Sequence, residues 1–206
     1  MEREVERLNE LIGNLLKLAR FESRADLMKA GPVMLDRLIR EVAQDADFEA
    51  RNRNRLVRVA RVDSSSIEGN EELLRSAVEN IVRNAVNYTA EGTEVELSLE
   101  HARDSFGERA VIRVRDHGEG VPEEALEQIF CPFYRIDDAQ RRSAGGVGLG
   151  LAITERAVRL HGGRVKAENS RSGGLIVELH LPLNTAFELP MRTIRPAPTS
   201  DAEVAS

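Results

Sequence analysis

Apolar residues recur at three- and four-residue spacing in four stretches of the chain, the period of a helix face. Val5, Leu8, Ile12, Leu15 and Ala19 mark residues 2–21, with Leu11, Leu16 and Leu18 beside the stripe. Leu35, Leu38, Ile39, Val42, Ala46 and Phe48 mark residues 35–51, after a break at Gly31-Pro32. Leu74, Ala77, Val78, Ile81, Val82 and Ala85 mark a third helix, opened by Asn70 as N-cap and by acidic Glu71 and Glu72, and running to about Tyr88. Leu151, Ala152, Ile153, Ala157, Val158 and Leu160 mark the fourth over 149–160, stopped by Gly162-Gly163.

Between these lie stretches of strict alternation, the period of a half-buried strand. Leu56, Val57, Val59 and Val62 place one over 56–62, and Val95, Leu97 and Leu99 another over 93–99. Residues 110–114 follow after a polar hairpin, and 164–168 and 175–181 flank the turn Ser172-Gly173-Gly174. Pro122 opens a short helix over 123–129. The pattern predicts an α+β, two-layer α/β sandwich: three main helices on one mixed, mainly antiparallel sheet. The helix over 2–21 is too apolar to stand alone; it either folds back on this domain or forms half of a helical hairpin in a dimeric bundle. Residues 184–206 carry prolines and no periodicity, and are expected to be a disordered tail.

Composition narrows the function. The chain has 206 residues, 41% apolar and 31% charged, with a net charge of −6, which argues against nonspecific nucleic-acid binding. No run approaches the ~18 apolar residues of a membrane span. A single cysteine, Cys131, excludes an internal disulfide and a cysteine-based zinc site.

Four stretches carry candidate chemistry. Gly145, Gly146, Gly148 and Gly150 precede the fourth helix, where missing Cβ atoms and unpaired N–H groups suit phosphate oxygens. The stretch is neither a P-loop nor a dinucleotide-binding turn, because it lacks Gly-x4-Gly-Lys-Ser/Thr and runs G-x-G-x-G. On the third helix, Asn80, Asn84, Asn87 and Tyr88 lie off the core face; asparagine is a poor mid-helix residue, and neutral amide oxygens suit Mg²⁺ held mainly by phosphates and water. Asp116-His117-Gly118-Glu119-Gly120 sets at the end of a strand a carboxylate, acceptor-only, that favours an adenine amino group over a guanine carbonyl. Ile129-Phe130-Cys131-Pro132-Phe133-Tyr134-Arg135 gathers aromatic bulk before the polar stretch 136–144, which then reads as a hinged lid.

Taken in order, these four pieces resemble the asparagine, first glycine, phenylalanine and second glycine boxes of sensor histidine kinases. The resemblance covers roughly residues 31–183. Residues 79–85 (ENIVRNA), 130–135 and 146–153 look most like the Cpx-type envelope-stress sensor kinases. Residues 15–22 resemble the end of the second dimerisation helix that precedes the ATP-binding domain. The resemblance implies the Bergerat ATP-binding fold over 31–183, a dimerisation helix over 1–26, and ATP with Mg²⁺ as cofactors. It implies that Asn84 ligates Mg²⁺, that Asn80 supports the phosphates, and that Tyr88 lies near the ribose or base. Asp116 would bind the adenine amino group, with Gly118 and Gly120 letting the base approach the backbone. Phe133 would anchor the lid, Arg135 would reach the γ-phosphate, and Gly146, Val147, Gly148, Leu149 and Gly150 would wrap the triphosphate.

Asn87 departs from the pattern, since many members carry Lys or Arg there; Arg83 and Arg135 are the substitutes. Ser172-Gly173-Gly174-Leu175 lacks the frequent Gly-Thr of the last glycine box. None of His101, His117, His161 and His180 stands in the family's phosphoacceptor context, so the chain is expected to begin inside the second dimerisation helix and to lack the acceptor. The implied partners are a response regulator and a second copy of the intact protein, with no nucleic acid, and with the membrane reached only through upstream segments: the cytoplasmic portion of an inner-membrane protein. Two rivals use the same fold: an ATPase switch of the gyrase or chaperone class, and a regulatory module that binds nucleotide without catalysis. The ATPases carry a water-activating glutamate where this chain has Asn80, and a neutral amide is no general base.

Overall fold

A computed structural model describes residues 12–13, 30–105, 107–136 and 147–183. The chain order is β1 (Gly31–Met34), α1 (Leu35–Arg51), β2 (Leu56–Val62), β3 (Ser66–Gly69), α2 (Glu71–Tyr88), β4 (Glu94–Asp104), β5 (Gly107–Arg115), α3 (Gly150–Leu160), β6 (Arg164–Asn169) and β7 (Leu175–Pro182). Five strands form one sheet in the order β2-β4-β5-β7-β6. Only β2–β4 is parallel, since α2 carries the chain across between them; the other pairs are antiparallel.

One face of the sheet is core. Val95, Leu97 and Leu99 of β4, Ala110, Ile112 and Val114 of β5, and Val177, Leu179 and Leu181 of β7 alternate inward and are buried. Against them pack Leu38, Ile39 and Val42 of α1, Leu74, Val78, Ile81 and Val82 of α2, and Ile153, Ala157 and Val158 of α3. The result is the mixed, mainly antiparallel two-layer sandwich that the periodicity predicts.

Two buried polar residues fix α2 against α3. Thr154 Oγ1 donates to the Ala77 carbonyl at 3.0 Å. His161 Nε2 accepts from Asn70 N at 2.9 Å while Nδ1 donates to the Ala157 carbonyl at 2.7 Å. That pairing requires a neutral ring, and burial pushes the His161 pKa down, partly opposed by the Ala157 hydrogen bond. Asn70 caps α2 as expected, accepting from Leu73 N at 3.1 Å.

Several local readings are corrected. Gly31-Pro32 is no break: it opens β1, which pairs antiparallel with β3 from Gly31↔Gly69 to Met34↔Ser66. Both strands have only 4 residues, too short for alternation to announce them. The helix over 123–129 is two 3₁₀ turns, Glu123–Ala125 and Gln128–Phe130. Strands β4 and β5 extend through polar residues to Asp104 and from Gly107, because their partners hold them by backbone bonds. The helix over 2–21, apart from helical Ile12 and Gly13, and the tail 184–206 lie outside the described residues.

Candidate nucleotide site

The stripe off the core face of α2 forms one wall of a large cleft. Asn80 is 4% exposed, Asn84 and Asn87 are half-buried, and Tyr88 is 44% exposed. The stripe therefore runs from the floor of the cleft to its rim, and Asn80 is not the surface residue that helix periodicity makes of it. Its Oδ1 accepts from Arg83 at 2.7 Å, and its buried Nδ2 has no partner among the described residues. Gly150, the first residue of α3, lies against it: a Cβ there would stand 3.5 Å from Asn80 Oδ1. Glu79, the next residue back, is exposed.

Asp116 faces the cleft just past the end of β5. It is 6% exposed, and Oδ1 accepts from Gly118 N at 2.8 Å and from Leu175 N at 3.1 Å. Its own N–H donates to the Leu175 carbonyl at 3.0 Å. The carboxylate is thus held by the loop behind it and by β7, and its acceptor lone pairs are oriented before any ligand arrives. His117, also at the cleft, is held by its own partners: its N–H donates to Thr89 Oγ1 at 3.1 Å and Nδ1 donates to the Glu94 carbonyl at 2.8 Å.

The glycines here are demanded by packing. A Cβ on Gly118 would stand 2.3 Å from the Tyr88 carbonyl oxygen, and one on Gly120 would stand 2.5 Å from Asn169 Oδ1. Neither position depends on a base to explain it. The Asn169 side chain clamps the same loop, accepting from Val121 N at 2.9 Å and donating to the Val121 carbonyl at 2.7 Å.

On the third side, Phe133 N donates to the Gly148 carbonyl at 2.8 Å, which ties together the two ends of the 134–147 stretch. Gly148 has φ +76 and leaves no room for a Cβ, which would meet the Tyr134 carbonyl at 2.8 Å. The anchoring role expected of Phe133 falls elsewhere. Its side chain is 59% exposed on a backbone of φ +66, while Ile129 and Phe130 are the buried members of the aromatic cluster. Phe133 contributes its backbone.

The cleft brings together Asn80, Asn84, Asn87, Tyr88, Asp116, Gly118, Gly120, Arg135, Val147, Gly148, Leu149 and Gly150. Gly146 and residues 137–145 lie outside the described residues. Sequence reasoning missed Asn169 and Thr89, and it placed Gly174 and Leu175 in the last glycine box without seeing that the Leu175 backbone closes on Asp116. The paired glycines at 173–174 were the available signal, read as a turn and as a departure from the last glycine box. Among the described residues, no group of three or more His, Cys, Asp or Glu could hold a metal by itself. On α2 the amide oxygens of Asn80 and Asn87 accept from Arg83 and Arg53, whereas a neutral amide oxygen at Asn84 fits a hard cation that takes most of its ligands from phosphate oxygens and water.

Residues 69–185 match the family described as histidine kinase-, DNA gyrase B-, and HSP90-like ATPases. The chain belongs to this family. It is 40% identical over 184 residues to the sensor histidine kinase CpxA of Escherichia coli, a stretch that covers 89% of this chain and 39% of that protein. Full-length ShkA in complex with AMPPNP superposes at a TM-score of 0.73 with 30% identity, over 88% of this chain and 37% of ShkA. The ATP binding domain of PrrB from Mycobacterium tuberculosis does so at 0.59 with 31% identity, over 76% of this chain and 99% of PrrB's domain. The fold is therefore the Bergerat α+β sandwich of the histidine kinase ATP-binding domain, and the Cpx-type likeness read from residues 79–85, 130–135 and 146–153 agrees with the relatives found. The chain spans less than half the length of the curated relatives it matches.

Proposed function

We propose that the chain is the catalytic ATP-binding part of a two-component sensor histidine kinase, in which residues 31–183 bind Mg²⁺–ATP and residues 1–26 end a dimerisation helix of the intact homodimer. The observation that carries this reading is the buried Asp116, held by backbone N–H groups, in the same cleft as the asparagine stripe and the glycine-rich start of α3. Asp116 accepts the adenine amino group; guanine would oppose its lone pairs with a carbonyl. Tyr88 lies near the ribose or base. Backbone N–H groups of residues 146–150 wrap the triphosphate at the positive end of α3. Asn84 ligates Mg²⁺, which when bound neutralises charge on the phosphate oxygens, and Asn80 supports them.

Arg135 reaches the γ-phosphoryl group. That group passes to a histidine on a dimerisation segment: the bond from phosphorus to the ADP oxygen breaks as a bond to the imidazole nitrogen forms. A response regulator then takes the phosphoryl onto an aspartate. No helix among the described residues is long and apolar enough to cross a membrane. The site is the cytoplasmic portion of an inner-membrane protein, and residues 184–206 form its tail.

The test is phosphotransfer from labelled ATP in the presence and absence of a separate dimerisation segment carrying the histidine. Acid-labile label on the added segment supports the reading. Label on this chain alone refutes the assignment of the acceptor.

A further inference from the structure

We propose that Arg53, on the turn after α1, is a phosphate-binding residue of this cleft, acting together with Asn87; the proposal rests on the nucleotide reading of the site. The turn is rigidly built. Arg53 N donates to the Ala50 carbonyl at 2.9 Å, Asn54 N to Arg51 at 3.1 Å, and Gly92 N to the Asn54 carbonyl at 2.8 Å. Asn54 takes φ 53 to reverse the chain, a conformation asparagine tolerates. This geometry brings Arg53 over the α2 wall, where Nη1 donates to Asn87 Oδ1 at 2.6 Å. Both residues line the cleft.

The neighbouring guanidinium groups are otherwise engaged. Arg51 pairs with Asp47 at 2.7 Å. Arg55 is turned onto the carbonyls of Val86 and Asn87, at 2.7 and 3.3 Å, satisfying the end of α2. Arg53 alone of these three is bonded only to a neutral amide, with no carboxylate within salt-bridge reach among the described residues. Among those residues no carboxylate is paired directly with it, although Asp45, Asp47 and Glu49 line the same cleft.

The bond to Asn87 has a second effect. With Oδ1 occupied by Arg53, the side chain of Asn87 has its Nδ2 group left to present, a pair of donors beside a cation. Donors and positive charge side by side recognise an anionic oxygen. A ribose hydroxyl or a base edge would not require the charge. Asn87 lies seven residues from Asn80, about 10 Å along the helix, so the anion bound here is a part of the polyphosphate distinct from the part at Gly150.

Calorimetry on the whole chain with Mg²⁺–ATP and with adenosine separates the possibilities. Arg53→Gln should weaken Mg²⁺–ATP about tenfold and leave adenosine within about twofold, and Arg53→Lys should recover most of the loss. Arg51→Gln, which removes an equal charge from the same cleft edge, should change Mg²⁺–ATP by less than about twofold. Unchanged Mg²⁺–ATP affinity in Arg53→Gln overturns the proposal. So does a parallel loss of adenosine, which marks a merely structural role, or an equal loss in Arg51→Gln, which marks a general field. If the parent chain bound neither ligand, the nucleotide reading itself would fall instead.

Discussion

Gly174→Ala and Gly173→Ala differ by one position and should differ sharply in cost. Both glycines sit at positive φ, +87 and +90. An alanine pays about 1–2 kcal/mol for that conformation at either position. Beyond it the two environments diverge. A Cβ on Gly173 would lie 3.7 Å from the Gly118 carbonyl, which is ordinary contact. A Cβ on Gly174 would lie 1.9 Å from the Asp116 carbonyl oxygen and 2.6 Å from its carbon. Both are backbone atoms that no rotamer change can clear, so the start of β7 must move away from Asp116. That movement breaks the bond from Leu175 N to Asp116 Oδ1, worth about 1.5–3 kcal/mol as a bond to a charged group. It also breaks the bond from Asp116 N to the Leu175 carbonyl, worth about 1 kcal/mol. Gly174→Ala should therefore lose about 3.5–6 kcal/mol and Gly173→Ala about 1–2. Urea titrations give both values by linear extrapolation. Nucleotide calorimetry should show ATP affinity retained in the second variant and lost in the first, because Asp116 loses one of the groups that aim it. Two variants of equal stability, within about 0.5 kcal/mol, would refute the claim that Gly174 is a packing junction.

Asp116→Asn should keep both backbone bonds, since an amide oxygen can replace Oδ1, yet lose about 10–150-fold in ATP affinity and narrow the preference over GTP; calorimetry with both nucleotides reads this. Glu178 should dominate acid stability. His180 and Arg113 hydrogen bonds, against burial, take its pKa from 4.5 to about 2, so the unfolded chain takes up its proton first as pH falls. Stability of order 3 kcal/mol, fully present above about 4.5, is lost between 4.5 and about 2, and urea melts of Glu178→Gln should lack that acid slope. His161, pushed down by burial, contributes stability that is complete above the unfolded value of about 6.5 and declines as pH falls below it; proton-coupled melts of His161→Gln should be flat through that window. ATP hydrolysis by the chain alone should be slow and unaffected by Glu79→Gln; fast turnover abolished by that change would favour an ATPase switch.

The parts of this fold that were legible in the sequence are those whose burial is periodic. Leu74 through Ala85 on α2 and Val95 to Leu99 on β4 announce one buried face each, and the structure buries those faces. β1 and β3 were not legible, because their pairing depends on a partner 30-odd residues away rather than on local pattern. Within the site, residue types that are costly out of context were visible: the asparagines on a helix, and the aspartate before Gly-x-Gly. Contributions made through the backbone were invisible. Leu175 reads as the first residue of a strand after the last glycine box, yet its N–H orients Asp116. Phe133 reads as an anchor, yet its side chain is exposed while those of Ile129 and Phe130 are buried, and what Phe133 supplies is a backbone bond to Gly148. Nothing in the sequence links Arg53 to Asn87, which are 34 positions apart.

The surroundings of Asn80 bear on which nucleophile such a site can serve. Water must lose a proton as it attacks phosphorus, so a hydrolase needs a base within reach of it. The Asn80 amide cannot accept that proton, and its oxygen already accepts from Arg83. Were a carboxylate at this position, the same guanidinium would pair with it and lower its basicity. Glu79 is exposed, about 100° around the helix from Asn80. A neutral imidazole is different: its ring nitrogen carries a lone pair and needs no deprotonation before it attacks. Positioning and charge stabilisation then suffice, which is what amides, a helix N-terminus and arginines supply. On the proposed reading, in which Asn80 stands beside the transferred phosphate, selection of histidine over water would follow from these surroundings before any acceptor segment is considered.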